Sequence, residues 1–242
     1  MSGKSAVVTG AATGIGRALV EAMGKYGMNI LAVDVDGHGL QDLKREWKSN
    51  GQISVMEADV RDAVSMNGAA DRAVAEFGSL DVWVNNAGLA RHKPIDQITA
   101  EDVDLVIDVN LKGTIYGSKA AMQKMKMVGR GHIVNIISTA SLRGVPTESV
   151  YCSAKWGVRG FTQALQEEGA AAGIRVTAVL PGGVETGFWK DAREGGTEMQ
   201  NFLKPTDVAG AVMQCLGTSG QCVMREIVVR SMMDTDFGYR EG

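Results

Sequence analysis

Tyr151 and Lys155 stand four residues apart in a stretch of helical periodicity, a spacing that puts both side chains on one helix face. A free tyrosine ionises near pH ~10 and is a poor base at neutral pH. A lysine ammonium beside it favours the phenolate and brings it into range for moving a proton. Taken alone, Tyr-x-x-x-Lys describes many solvated helix faces, so its meaning depends on what else the chain brings to it. Ser138 follows the apolar run 132–137 and offers a hydroxyl that can hydrogen-bond a substrate oxygen and steady a developing alkoxide.

A second group of residues lies near the start of the chain. Thr9-Gly10-Ala11-Ala12-Thr13-Gly14-Ile15-Gly16 joins an apolar run to a helical one. Glycines there let backbone N–H groups and a helix N-terminus approach a pyrophosphate without Cβ clashes. The spacing G-x-x-x-G-x-G is also that of an ordinary tight strand-to-helix turn. Asp34, 20 positions after Gly14 and at the end of the second apolar run, gives the turn its context. A carboxylate at that place accepts hydrogen bonds from ribose hydroxyls and repels a 2′-phosphate. No Arg or Lys lies in the turn before Gly16 or just after Asp34, so the expected cofactor is NAD, not NADP.

Elements that could hold these groups follow from periodicity. Short apolar runs at 5–8, 29–33, 53–57, 81–84, 132–137 and 175–179 alternate with helical stretches at 15–26, 40–49, 63–77, 100–127 and 149–172. Such β-α alternation implies a parallel sheet with helices on both faces, whose strands are buried on both sides and read as continuous apolar runs. With 242 residues, no low-complexity linker and no repeat, one domain spanning 1–242 is expected. Residues 185–196 hold five charged residues, three glycines, Phe188 and Trp189 and read as a surface loop or a lid over the site.

Composition narrows the class of function. Apolar residues make up 45% and the net charge is -3, which excludes a disordered chain and offers no broad basic footprint for nucleic acid or an anionic membrane. Cys152, Cys215 and Cys222 form no CxxC pair, which suits a reducing compartment. No apolar run approaches the ~20 residues that span a bilayer, and the expected location is cytoplasmic. No metal site is expected.

Four motifs in order resemble the short-chain dehydrogenase/reductase superfamily, in its compact single-domain branch: the turn 9–16, Asn85-Asn86-Ala87-Gly88, Tyr151-x-x-x-Lys155 and Pro181-Gly182-Gly183-Val184-Glu185-Thr186. The resemblance implies a doubly wound Rossmann-type α/β fold. It implies that Gly10, Thr13, Gly14, Ile15, Gly16 and Asp34 hold a dinucleotide, with Asp59 and Val60 flanking the adenine. Asn86, Ala87 and Gly88 would wall the cleft, and Pro181, Gly182, Val184 and Thr186 would hold the nicotinamide. Ser138, 13 positions before Tyr151, has the family's spacing, and Asn110 matches a helix asparagine that holds a water in a proton relay to the lysine. Tyr151 and Lys155 would themselves contact the cofactor.

The chain also departs from the pattern. Ile137 stands where relatives often carry a second serine, Cys152-Ser153-Ala154 replaces the commoner order, and Arg225–Ser231 replaces a glycine-rich final strand. That last difference counts against a 3-oxoacyl reductase and weakens the case for the family's usual tetramer. Phe188, Trp189, Met199 and Phe202 lie in or beside a substrate lid at about 185–203 and could line an apolar pocket. Arg91-His92-Lys93 could draw an acidic substrate, although a short basic run is ordinarily solvated surface. His132 reads as structural.

The expected activity is hydride transfer between NAD and a secondary alcohol or ketone, with Tyr151 as general acid/base. The alternatives are an NADP-dependent carbonyl or 3-oxoacyl reductase and a non-catalytic NAD(H) sensor. By analogy a homo-oligomer, dimer or tetramer, is expected from alanine-bearing helices 100–127 and 149–172.

Overall fold

The computed structural model describes residues 1–189, 199 and 201–233. Among the described residues there are seven strands, the first six at the expected apolar runs: β1 (Ser5–Thr9), β2 (Asn29–Asp34), β3 (Ile53–Glu57), β4 (Val82–Asn85), β5 (Gly131–Ile136), β6 (Ile174–Pro181) and β7 (Glu226–Val229). They lie in the order β3-β2-β1-β4-β5-β6-β7, every neighbouring pair parallel, with registers such as Ala6↔Ile30, Ala6↔Val82 and Ile136↔Val179. The helices are α1 (Gly14–Lys25), α2 (Gly37–Arg45), α3 (Ala63–Phe77), α4 (Ala100–Ile107), α5 (Gly113–Val128), α6 (Ser149–Ala170) and α7 (Pro205–Leu216). This is the doubly wound Rossmann-type α/β fold expected from the alternation.

Both faces of the sheet are apolar because both are covered. Ala6, Val8, Ile30 and Ala32 pack under Leu19, Met23, Leu40, Val208 and Val212 from α1, α2 and α7. The intervening residues Val7, Leu31 and Val33 pack with Met66, Ala69, Ala121 and Met125 of α3 and α5 on the other face. Successive strand side chains point to opposite sides, so a strand buried on both needs an unbroken apolar run. Ala120 and Ala121 are buried in this core, so these two alanines of α5 serve packing within the chain rather than contact with a second copy.

A hydrogen-bonded network lies beneath the site. Trp83 Nε1 donates to Asn85 Oδ1 (2.7 Å), while Asn85 Nδ2 donates to Ser118 Oγ (2.9 Å) and Asn135 Oδ1 (2.8 Å). Asn135 Nδ2 continues to Thr162 Oγ1 at 2.9 Å. All of these atoms are buried, so each satisfied bond avoids the ~1–3 kcal/mol cost of an orphaned polar group. The network fixes β4 and β5 against α5 and α6. Gly117 makes it possible, since a Cβ there would sit 2.2 Å from Asn85 Oδ1.

Three features differ from the sequence expectation. The stretch 100–127 is not one helix: α4 and α5 are separated by a π-helical turn at Asp108–Lys112, where the Gly113 N–H reaches back five residues to Asp108 O. Helix α7 lay outside the periodic stretches. The departure at Arg225–Ser231 still supplies the last strand, with Val179 beside Ile227. Of the expected lid at 185–203, residues 190–198 and 200 lie outside the described residues. Among the described residues no helix is long and apolar enough to cross a membrane.

Candidate active site

The strand order reverses between β1 and β4, and the carboxyl ends of the strands open there into a cleft of about 790 Å³. Gly10, Thr13, Gly14, Ile15, Asp34, Asp59, Val60, Asn86, Ala87 and Gly88 line one part of it. Ser138, Tyr151, Lys155, Pro181, Gly182, Val184 and Thr186 complete the wall. Of the expected site residues, Gly16 and Asn110 lie behind that surface.

The glycine turn is pressed against the end of β4. Gly10 has φ +65°, and a Cβ on it would stand 2.8 Å from the Ala87 Cα. Gly16 is still tighter, with a Cβ only 1.9 Å from Gly10 O, so its role is to let the turn close. Asn86 Nδ2 clamps the turn by donating to Thr9 O (2.9 Å) and Gly10 O (3.0 Å). Helices α2, α3 and α4 are capped by the side chains of Asp36, Asp62 and Thr99. Helix α1 has no side-chain cap and no acid in its first turn, which leaves its N-terminal N–H groups suited to an anion.

Asp34 ends β2 with its carboxylate oriented by backbone: Oδ2 accepts from Ala12 N (2.9 Å) and Oδ1 from Asp36 N (3.0 Å). A carboxylate has roughly four acceptor positions, so capacity remains for ribose hydroxyls. Two more acids crowd this corner. The Glu57 carboxylate lies 2.1 Å from where a Gly37 Cβ would be, and the Asp36 carboxylate 2.6 Å from that of Gly39. The basic groups nearby are engaged: Arg61 bonds Asp59 (2.8 and 2.6 Å), and Arg17 bonds Glu21 and Glu46. The Arg61 hydrogen bond holds the Asp59 carboxyl below its usual range.

At the other end of the cleft, Tyr151 and Lys155 share one face of α6, both buried, with Lys155 Nζ 5.5 Å from the Tyr151 ring centroid. Ser138 lies between β5 and a short 3₁₀ turn, its Oγ accepting from Ala140 N at 3.1 Å. Burial pushes the Tyr151 phenol up, opposed by a hydrogen bond with Ser138, and burial pulls Lys155 down to about 8. Desolvation disfavours both charges, so the protein surroundings alone do not deliver the lowered phenol expected from the Tyr-Lys spacing.

Asn110 sits in the π turn, where Nδ2 donates to Leu89 O (2.7 Å) and Val106 O (2.9 Å). Its Oδ1 is buried without a hydrogen-bond partner among the described residues. A Cβ on Gly88 would lie 2.8 Å from that oxygen and 3.5 Å from Lys155 Nζ. An unsatisfied buried acceptor beside a lysine is where a water or a ribose hydroxyl fits. The uncapped α1, the acceptor at Asp34 and this orphaned oxygen together fit a nicotinamide dinucleotide.

In the basic run past Gly88 the two outer residues stay partly exposed and the middle one is buried. Lys93 and Arg91 both pair with Asp102, at 2.6 and 3.5 Å, and the His92 side chain is only 3% exposed. Phe188, Trp189 and Phe202 line the cleft as expected, with Phe188 5.9 Å from the Tyr151 ring. Met199 lies outside the lining, its carbonyl accepting from Phe202 N. Sequence reasoning missed Glu148 and Arg143, which also line the cleft; for Glu148 the available signal was its place one helical turn before Tyr151. His132 is structural, its Nε2 2.8 Å from Thr177 Oγ1 between β5 and β6.

The family model described as short chain dehydrogenase matches residues 4–196. D-threitol dehydrogenase of Mycolicibacterium smegmatis is 37% identical over 222 residues, covering 88% of this chain and 85% of that protein. L-2,3-butanediol dehydrogenase of Corynebacterium glutamicum is 36% identical over 191 residues, covering 77% and 74%. Among solved structures, an alcohol dehydrogenase from Thermococcus sibiricus complexed with 5-hydroxy-NADP superposes with a TM-score of 0.87 at 29% identity, covering 95% of this chain and 97% of that one. A metagenomic short-chain oxidoreductase in complex with NADP gives 0.82, also at 29% identity, covering 96% and 98%. With the family's model matching four fifths of its length and relatives of that kind aligned along most of it, the chain belongs to the short-chain dehydrogenases.

Proposed function

We propose that the protein is an NAD-dependent oxidoreductase that moves a hydride between the nicotinamide and a small secondary alcohol or ketone, with Tyr151 as general acid/base. The observation that carries this reading is one cleft with Ser138, Tyr151 and Lys155 at one end and the glycine turn with Asp34 at the other. The names of two relatives, D-threitol and L-2,3-butanediol dehydrogenase, specify alcohols with more than one hydroxyl, which favours a small hydroxylated substrate.

In the oxidative direction the Tyr151 phenolate takes the hydroxyl proton, and in the reductive direction the phenol returns it to the carbonyl. Ser138 Oγ accepts from Ala140 N, which leaves its own proton to donate to the substrate oxygen. Lys155 brings positive charge beside the Tyr151 ring and favours the phenolate. The bound dinucleotide supplies the hydride acceptor or donor and, when oxidised, a further positive charge. Asn110 Oδ1 holds a water that passes protons between Lys155 and solvent.

The carboxylates of Asp34, Asp36 and Glu57 favour NAD, since a 2′-phosphate would lie among like charges with the neighbouring arginines already paired. The rival reading, an NADP-dependent carbonyl reductase, draws on the NADP-type ligands of the two solved relatives. Nicotinamide absorbance followed with both cofactors, over a panel of secondary alcohols and ketones, separates the two. Turnover that prefers NAD(H) and is lost in Tyr151→Phe is the expected result. Turnover preferring NADP(H) overturns the cofactor assignment, and NADH binding without turnover on any alcohol favours a sensor. A homo-oligomer remains part of the proposal, to be tested by light scattering.

A further inference from the structure

The loop between Ser138 and Tyr151 carries polar groups that the proton path does not use. Arg143 and Glu148 line the cleft, and Glu148, at the N-cap position of α6, lies close enough to Tyr151 for its charge to oppose the phenolate. The backbone just before it is constrained: Thr147 has φ +68°, a conformation that a β-branched residue rarely adopts. Glu148 Oε1 is 3.6 Å from His92 Nε2, and the two side chains are 16% and 3% exposed. The His92 ring centroid is 6.1 Å from that of Tyr151 and 5.7 Å from that of Trp189. An acid beside an imidazole therefore flanks the phenol, on a wall that also carries Arg143 and the rings of Phe188 and Trp189.

A carboxylate has roughly four acceptor positions, so Glu148, lining the cleft, can accept from a ligand in addition to its contacts within the chain. The charges on this wall restrict what that ligand can be. With one charge of each sign on the wall, a charged substrate gains from one of Arg143 and Glu148 and is repelled by the other, whereas a neutral hydroxyl donates to Glu148 without meeting a like charge. We propose that Glu148, oriented by His92, accepts a hydrogen bond from a second hydroxyl on the carbon beside the reacting one, so that the site selects vicinal diols, or α-hydroxyketones in the reverse direction, over simple secondary alcohols. This deepens the oxidoreductase reading and rests on it. Glu148 touches substrate, and His92 is a positioning residue.

The test compares kcat/KM for 2,3-butanediol and 2-butanol, with the preferred dinucleotide, in the wild type and in Glu148→Ala, Glu148→Gln, His92→Phe and His92→Gln. Thermal melting and NADH affinity establish that each variant is folded. The wild type is expected to prefer the diol by about tenfold or more, the worth of one hydrogen bond to a charged group. In Glu148→Ala that ratio collapses, mainly through a higher KM for the diol, while Glu148→Gln, which keeps an acceptor oxygen, retains part of it. His92→Phe lowers the ratio and His92→Gln restores it. A wild type that oxidises 2-butanol as well as the diol overturns the inference and leaves the oxidoreductase reading standing. So does a diol preference unchanged in Glu148→Ala. A wild type that turns over neither alcohol nor any other member of the panel, with Tyr151→Phe indistinguishable from it, overturns the oxidoreductase reading itself.

Discussion

Lys155 Nζ lies 5.5 Å from the Tyr151 ring centroid and 3.4 Å from Ile136 O, which accepts its hydrogen bond, so the cation is held between the phenol and the end of β5. Tyr151→Phe removes the oxygen that moves the proton and leaves the ring in place. Turnover should fall by about 10²–10⁴-fold, with the NADH dissociation constant changed little. Stopped-flow rates and NADH fluorescence measure the two quantities separately, and near-normal turnover would sink the assignment.

The same lysine is expected to cost stability. Burial lowers it to about 8 from 10.5, so the folded state holds this proton less tightly than the unfolded state does. The stability deficit is fully present below pH 8, shrinks as pH rises toward 10.5 and is absent above it. Lys155→Met should therefore melt at a higher temperature at pH 7, with a gain of about 1–3 kcal/mol, while losing activity. A variant that melts below the wild type at neutral pH contradicts this.

His132 sets an acid limit on the fold. Thr177 gives its hydroxyl proton to Met224 O at 2.7 Å and so accepts from His132 Nε2, which leaves Nδ1 buried without a partner among the described residues. Burial holds the imidazole down to about 3, against 6.5 when free. Between those values the unfolded chain binds a proton that the folded chain does not. Stability should drop as pH falls below 6.5, by up to about 1.4 kcal/mol per pH unit, and should not respond to this residue above it. Urea titrations of wild type and His132→Gln between pH 4 and 8 test the slope, which the variant should flatten.

Asp34→Ala should reduce the ratio of kcat/KM for NAD over NADP by about tenfold or more, because a like charge beside the 2′-phosphate is removed. The variant also loses the acceptor for Ala12 N, so affinity for NAD itself should weaken. Steady-state kinetics with both cofactors read the ratio directly. An unchanged ratio would shift attention to Asp36 and Glu57.

Much of this was legible in the sequence, for identifiable reasons. Residues 63–77 were bounded correctly because Asp62 caps α3 and Gly78, at φ +80°, ends it. The glycine turn and Asp34 declared themselves because their backbone demands and their spacing are local. Other features depend on contacts distant in sequence. Alternation along Arg91-His92-Lys93 sends the two outer cations to Asp102 and turns the histidine toward Tyr151, which no basic-run rule anticipates. Glu148 joined the site through the loop that precedes α6, and its meaning depends on what that loop faces. The interruption at Asp108–Lys112 contains no proline or glycine to mark a break, so length and composition alone gave one helix over 100–127.

That interruption constrains how the chain can change length. A π turn is an α-helix with one residue inserted, and removing one residue from it would restore the regular ladder. Everything beyond the deletion would then rotate by roughly 100° relative to α4. Ala121 and Met125 would swing away from the sheet, and Asn110 would lose its place beside Lys155. The stretch around Asn110 should accept substitutions far more readily than single-residue deletions, because here the phase of the helix, as much as the identity of its side chains, carries the site.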